Sequence, residues 1–169
     1  MKCAVMQPTY LPWSGYFNLI ESVDKFFYLD NAQYERGSWQ NRNRILINDK
    51  EYILSLPVIR ESLGVLIKDV SISTTDYRWR KKHSMTIKMA YSKKPFYKDL
   101  SPVLDLIENN ETLNLADFNI LLIDKICELL TINTIRQKTS EVQTSNHRTK
   151  KLIELCKISG CEIYLSPLG

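Results

Sequence analysis

The feature that most constrains this chain is its first thirty residues. A short apolar run, residues 3–6, stops abruptly at Gln7-Pro8. After Pro12, Tyr16, Phe17, Leu19, Ile20 and Val23 recur at helical spacing, and a second apolar run, Phe26-Phe27-Tyr28-Leu29, follows at once. Apolar runs of this length suit buried strands, and the 3.6-residue period between them suits a helix covering those strands. A strand, helix, strand crossover makes the two strands parallel, so Gln7 and Asp30 should leave the same edge of one sheet. In open α/β sheets that carboxyl edge holds the ligand.

Downstream, residues 44–47 and 52–57 are β-prone and flank the turn-forming group 48–51, which predicts a hairpin. Residues 66–72 can add a strand. From Thr75 the period becomes helical: helices are expected over 77–91, after Pro95, and over 115–130, where Leu121, Leu122, Ile126, Leu129 and Leu130 cluster. A short strand is expected at 133–136. Asn146 is placed to cap a helix running through Ile158, and Gly160 to end it before a last strand at 162–165. The expected architecture is an open, mostly parallel, Rossmann-like α/β sheet flanked by helices, with a helical C-terminal half, in one domain over 1–169.

Composition narrows the function classes. The chain is 44% hydrophobic and 25% charged, with a formal charge of +4. Its Lys and Arg are dispersed apart from 78–82 and 148–151, whereas a nucleic-acid surface concentrates basic residues on one face. Cys3, Cys127, Cys156 and Cys161 form no C-x-x-C pair and sit in apolar runs, as buried free thiols of a reducing compartment do. The apolar N-terminal run is too short for a signal or spanning segment, so a cytoplasmic protein is expected.

Three polar and aromatic clusters remain as candidates for chemistry. In the first, Gln7-Pro8-Thr9-Tyr10-Leu11-Pro12-Trp13-Ser14-Gly15-Tyr16-Phe17, two prolines restrict the loop and Gly15 admits close approach at a helix start able to hold an anion. Tyr10, Trp13 and Tyr16 can equally be packing aromatics. The second spans Asp30 to Arg44 and contains Gln33, Arg36, Trp39, Gln40, Asn41 and Arg42. Arginine forks suit phosphate or carboxylate and amides read hydroxyls, although a solvated loop with Trp39 as a core plug fits as well. The third, residues 79–83, offers Lys82 and His83; His83 is a structural imidazole or a general acid/base. Neither His83 nor His147 has a second ligand at metal spacing, no standard nucleotide-binding or hydrolase motif occurs, and the sequence leaves any cofactor open.

The pattern Gln7-Pro8-x-Tyr10-x-Pro12-Trp13-x-Gly15-Tyr16-Phe17, then Asp30, Gln33-Tyr34 and Ser38-Trp39-Gln40-Asn41-Arg42-Asn43, resembles the WbqC-like protein family. The likeness continues through Leu56-Pro57-Val58, Lys82-His83, Tyr91 and Tyr164-Leu165-Ser166. It implies a role in bacterial O-antigen or capsule assembly and a chain shorter at its C-terminus than the family norm. More weakly, the first strand-turn-helix is similar to that of cytidylyltransferase-like nucleotidyltransferases, with Trp13-Ser14-Gly15-Tyr16 where those enzymes carry His-x-Gly-His. The expected function is thus a transferase acting on a nucleotide-linked or otherwise activated sugar. Asp30 and His83 are its candidate proton carriers. Its candidate ligand contacts are Gln7, Tyr10, Trp13, Gly15, Tyr16, Gln33, Arg36, Trp39, Gln40, Asn41, Arg42 and Lys82. The alternative from another class is a non-catalytic ligand-binding or scaffold protein; a nucleic-acid module is the third. The sequence leaves the oligomeric state open.

Overall fold

The computed structural model describes residues 1–59, 64–144 and 149–166. The expected helix cap Asn146, the second histidine His147 and part of the basic stretch at 148–151 lie outside the described residues.

Strand β1 (Lys2–Met6) leads through the 7–13 loop into helix α1 (Ser14–Glu21) and strand β2 (Lys25–Tyr28). The two strands pair in parallel, with Met6 beside Tyr28, so residues 7 and 30 do leave the same edge. A hairpin follows, β3 (Arg42–Ile47) and β4 (Lys50–Ser55). Its turn is tighter than the four residues expected: Asn48 and Asp49 alone make it, with φ of 50° and 62°, the left-handed pair that a twisted two-residue hairpin requires and that Asn and Asp tolerate.

Residues 66–72 form no strand. Ile67 N–H donates to Ala32 O, Lys68 N–H to Asp30 O and Ile72 N–H to Leu113 O, so the segment's backbone groups are divided among several neighbours around a single 3₁₀ turn, Ile67–Asp69. The helical half then runs α2 (Arg78–Tyr91), α3 (Ser101–Asn109) and α4 (Leu115–Leu129). Asn114 accepts the Asp117 N–H at the start of α4, the side-chain cap that Asn favours. Strand β5 (Ile135–Lys138), helix α5 (Thr149–Ile158), which ends before Gly160 at φ 68°, and strand β6 (Ile163–Tyr164) complete the described chain.

The sheet order is β5-β2-β1-β6 with every pairing parallel. This is an open Rossmann-like α/β fold into which the hairpin and three helices are inserted between β2 and β5. The strand alternation sorts its two faces. Ala4, Phe26 and Tyr28 pack with Tyr16, Phe17 and Ile20 of α1 and Ile123 and Cys127 of α4, while Cys3, Val5 and Phe27 pack with Leu155 of α5 and Cys161. A third apolar cluster joins Tyr10 to the hairpin and to α2, α3 and α4. No helix among the described residues is long and apolar enough to cross a membrane.

The candidate functional site

β1 is where chain order reverses across the sheet: β2 and β5 lie on one side and β6 on the other. The loop leaving its carboxyl end is held by the 38–43 segment. Tyr10 N–H donates to Trp39 O at 3.0 Å, Gln40 Nε2 to Gln7 Oε1 at 2.9 Å, and Asn43 Nδ2 to Tyr10 O at 3.1 Å and to Leu11 O. From below, the fully buried Asn119 of α4 donates to Pro8 O at 3.1 Å and Gln40 O at 2.7 Å. These bonds hold Leu11 at φ 45°. That conformation is costly for leucine, more so before a proline, and such strain persists only where surroundings impose it.

On this platform the side chains divide into two sets. Tyr10, Tyr16 and Gln40 are buried. Gln40 is enclosed by bonds to Glu35 N–H, Gln7 and Gln33 O; Asn41 Nδ2 donates to Leu56 O; Tyr16 OH donates to Gln7 O. Trp13 and Trp39 are instead 61% and 47% exposed. They face one hollow of about 320 Å³, whose other walls are Met6, Thr9, Pro12, Tyr16, Asn43 and Arg44.

The Arg44 guanidinium sits 4.9 Å from the Trp39 ring centroid and that of Arg42 6.0 Å from it. Glu51 accepts both bonds from Arg44 Nη1 at 3.0 Å. Gly15 underlies Trp13: a Cβ there would stand 1.7 Å from Trp13 Cζ3. The glycine therefore makes room for an indole lying across the start of α1. Thr9, Asn43 and Arg44 were not among the candidate ligand contacts; the alternation of Arg42 and Arg44 at the head of a β-prone run was the available signal.

The other candidates go elsewhere. Asp30 is 1% exposed and accepts from Ser140 N–H at 2.9 Å and from the hydroxyls of Ser140 and, at 3.1 Å, Thr139. It thereby fastens the end of β2 to the turn after β5. Arg36 and Gln33 are exposed beyond the hollow's lining, and Arg42 packs against Gly37, at φ 71°.

His83 and Lys82 lie on a second hollow of about 530 Å³, with Tyr52, Ile53, Leu54, Ser55, Asp76, Arg78 and Trp79. The two hollows adjoin at the hairpin, since Arg44 and Asn43 of the first are cross-strand partners of Ile53 and Leu54 of the second. His83 Nδ1 is 2.9 Å from the Tyr10 hydroxyl. Burial, and then the Lys82 ammonium, push the imidazole down to about 4 against a backbone hydrogen bond with Ser55 that raises it. Burial also pushes the Tyr10 phenol well up. At neutral pH both are uncharged, and one hydrogen bond joins them whose donor is set by the imidazole tautomer. Among the described residues no group of three or more His, Cys, Asp and Glu is placed to hold a metal.

Comparison with known proteins adds a family. The model described as the WbqC-like protein family matches residues 7–169. Uncharacterized protein Rv1507c of Mycobacterium tuberculosis (strain ATCC 25618 / H37Rv) is similar, 32% identical over 168 residues that cover 98% of this chain and 71% of that protein. No solved structure matches the chain significantly.

Proposed function

The chain belongs to the WbqC-like protein family, and on that footing we propose that it is a cytoplasmic transferase of bacterial O-antigen or capsule assembly, acting as one α/β unit on a nucleotide-linked or otherwise activated sugar. The observation that carries this reading is the pair of exposed indoles, Trp13 and Trp39, facing one hollow at the carboxyl end of β1 beside the Arg44 guanidinium. Large aromatic faces left in water are available for stacking on a sugar or base, and a guanidinium at their edge suits a phosphate or carboxylate. The position is the one where open α/β sheets bind ligands.

In this reading Trp13 and Trp39 bracket the ring and Arg44, with Arg42 behind it, meets the anionic group. Lys82 and the neutral His83 in the adjoining hollow serve the acceptor. The test is a calorimetric panel of nucleotides, sugar nucleotides and acyl donors. Saturable binding of an anionic, ring-bearing compound supports the reading, and no binding by any member removes it.

One observation favours a second reading, a ligand-binding or scaffold protein without turnover. Tyr16 and Arg44 are the titratable groups lining the first hollow, while the Asp30 carboxylate is enclosed by Thr139 and Ser140. Incubating the bound compound with candidate acceptors and following product by mass spectrometry separates the two. Product that disappears in His83→Gln supports transfer, and binding without product supports the scaffold.

A further inference from the structure

Three of the four cysteines, Cys3 from one end of the sequence and Cys156 and Cys161 from the other, meet on the face of the sheet opposite α1. Cys3 lies in β1, Cys156 in the last half of α5 and Cys161 just before β6. Cys3 Sγ and Cys156 Sγ are 3.2 Å apart, and Cys161 stands near enough to Cys3 to raise its thiol pKa. Cys127 packs on the other face of the sheet, with Tyr16 and Phe26. The three thiols differ in access: Cys3 and Cys161 are buried and Cys156 is half-buried.

From this arrangement we infer that Cys3 and Cys156 are a peroxide-sensitive thiol pair that closes into a disulfide, tying the central strand to α5. The half-buried Cys156 meets the oxidant first. Its thiolate attacks hydrogen peroxide, the O–O bond breaks, hydroxide leaves and Cys156 becomes a sulfenic acid. The Cys3 sulfur, already in contact, attacks the Cys156 sulfur. The S–O bond breaks, and the hydroxyl group leaves as water with the proton of the Cys3 thiol. The sum is two thiols and one peroxide giving one disulfide and two waters.

Burial makes Cys3 a poor first nucleophile, its thiol pKa pushed far up mainly by desolvation, and suits it to the resolving role, in which it meets only a neighbouring sulfur. The bond would close a loop between residues 153 apart in sequence. It would also hold α5, whose Lys151 ammonium donates to Asn31 at the sheet's carboxyl edge, so the strand that carries the site loop and the helix behind it would become one covalent unit.

The four cysteines fall in four different tryptic peptides, so the pairing can be read directly. The whole chain is treated with stoichiometric hydrogen peroxide, alkylated, digested without reduction and analysed by mass spectrometry. The expected product is a 2 Da loss in the intact monomer and a peptide joining Cys3 to Cys156, with Cys127 and Cys161 alkylated. A reductant-reversible rise in Tm, on the order of 5 to 10 °C, should accompany it. Cys161→Ser should keep the cross-link, and Cys3→Ala should stop at a dimedone-reactive Cys156. Because the buried Cys3→Ala variant can fail to fold, the wild-type peptide map decides. A Cys156–Cys161 link, disulfides only between chains, or Cys156 oxidised beyond the sulfenic acid with Cys3 still free would each overturn the inference.

Discussion

The chain uses the same pair of side chains twice, a tryptophan with an arginine over its ring, to opposite ends. Arg80 lies 4.6 Å from the Trp79 centroid and 5.2 Å from Phe118, both residues of the pair are buried, and its guanidinium donates to Ile107 O at 3.1 Å and Thr112 O at 3.4 Å. Arg44 lies 4.9 Å from Trp39 in a pair open to water, with Glu51 as its ionic partner. In the first pair the guanidinium donates to two backbone carbonyls and the ring packs edge-on against Phe118 and His83, so the pair braces α2 against the chain around α3. In the second the ring's face adjoins a hollow. Residue type alone does not distinguish them. What does is exposure and how the guanidinium is held, by buried backbone carbonyls in one case and by an exposed carboxylate in the other, and that yields opposite expectations for stability and binding.

The largest expected effect is on the buried pair. Arg80→Met should cost about 3 kcal/mol in urea unfolding, since it leaves two carbonyls short of a charged donor and removes the stacking. Ligand affinity per folded molecule should be unchanged. A loss of affinity in fully folded Arg80→Met would break the separation between the two pairs.

The burial of His83, beside Tyr10 on the buried side of the division, should appear in the pH dependence. His83 is pushed down to about 4 in the fold, from an ordinary value of 6.5. The unfolded chain therefore takes up a proton below pH 6.5 that the folded chain refuses until about pH 4. This contribution to stability is fully present above pH 6.5, declines as pH falls through that window, and is gone below pH 4. It amounts to about 3 kcal/mol. His83→Gln should flatten this part of the pH profile relative to wild type; an identical slope in both proteins would remove the imidazole as its source.

Asn43 spans the division, lining the hollow while its amide holds the carbonyls of Tyr10 and Leu11. Asn43→Ala should cost about 1 to 2 kcal/mol and also weaken binding, because the strained Leu11 turn loses its clamp. Smaller still is Gly15→Ala. An added methyl favours a helix by up to about 1 kcal/mol, yet it must drive the Trp13 ring off the start of α1. Stability should stay within about 1 kcal/mol of wild type while ligand affinity falls, a split measurable by denaturation and calorimetry on one sample.

Much of the scaffold was legible in the sequence because it rests on local periodicity. The β1-α1-β2 crossover, the hairpin, α2 and α4 follow from spacings that the chain displays within each element. Residues 66–72 have strand-like apolar content but form no strand, because several of their N–H groups go to carbonyls remote from the segment, Asp30 and Ala32 on one side and Leu113 on the other.

The site was legible only in part, for the same reason. Its density of amides and aromatics in the 7–17 and 30–44 segments pointed to the right place. But nothing local says that Asp30 meets Thr139 and Ser140, 109 and 110 residues away, or that Gln40 and Tyr10 face inward while Trp39 and Trp13 face out. Nor does spacing alone bring Cys3 beside Cys156. Those outcomes depend on tertiary packing, which decides whether a polar or aromatic side chain is consumed by the fold or left for a ligand.

Whether the Trp13–Trp39 hollow takes an anionic, ring-bearing ligand can be read from tryptophan fluorescence. Of the three tryptophans only Trp79 is buried. Titration with a panel of sugar nucleotides should give saturable quenching by at least one of them, weakened more than tenfold in Trp39→Ala, whose unfolding free energy should differ from wild type by less than about 1 kcal/mol. Quenching that persists at the same midpoint in Trp39→Ala, or no quenching by any of the compounds, would contradict the account.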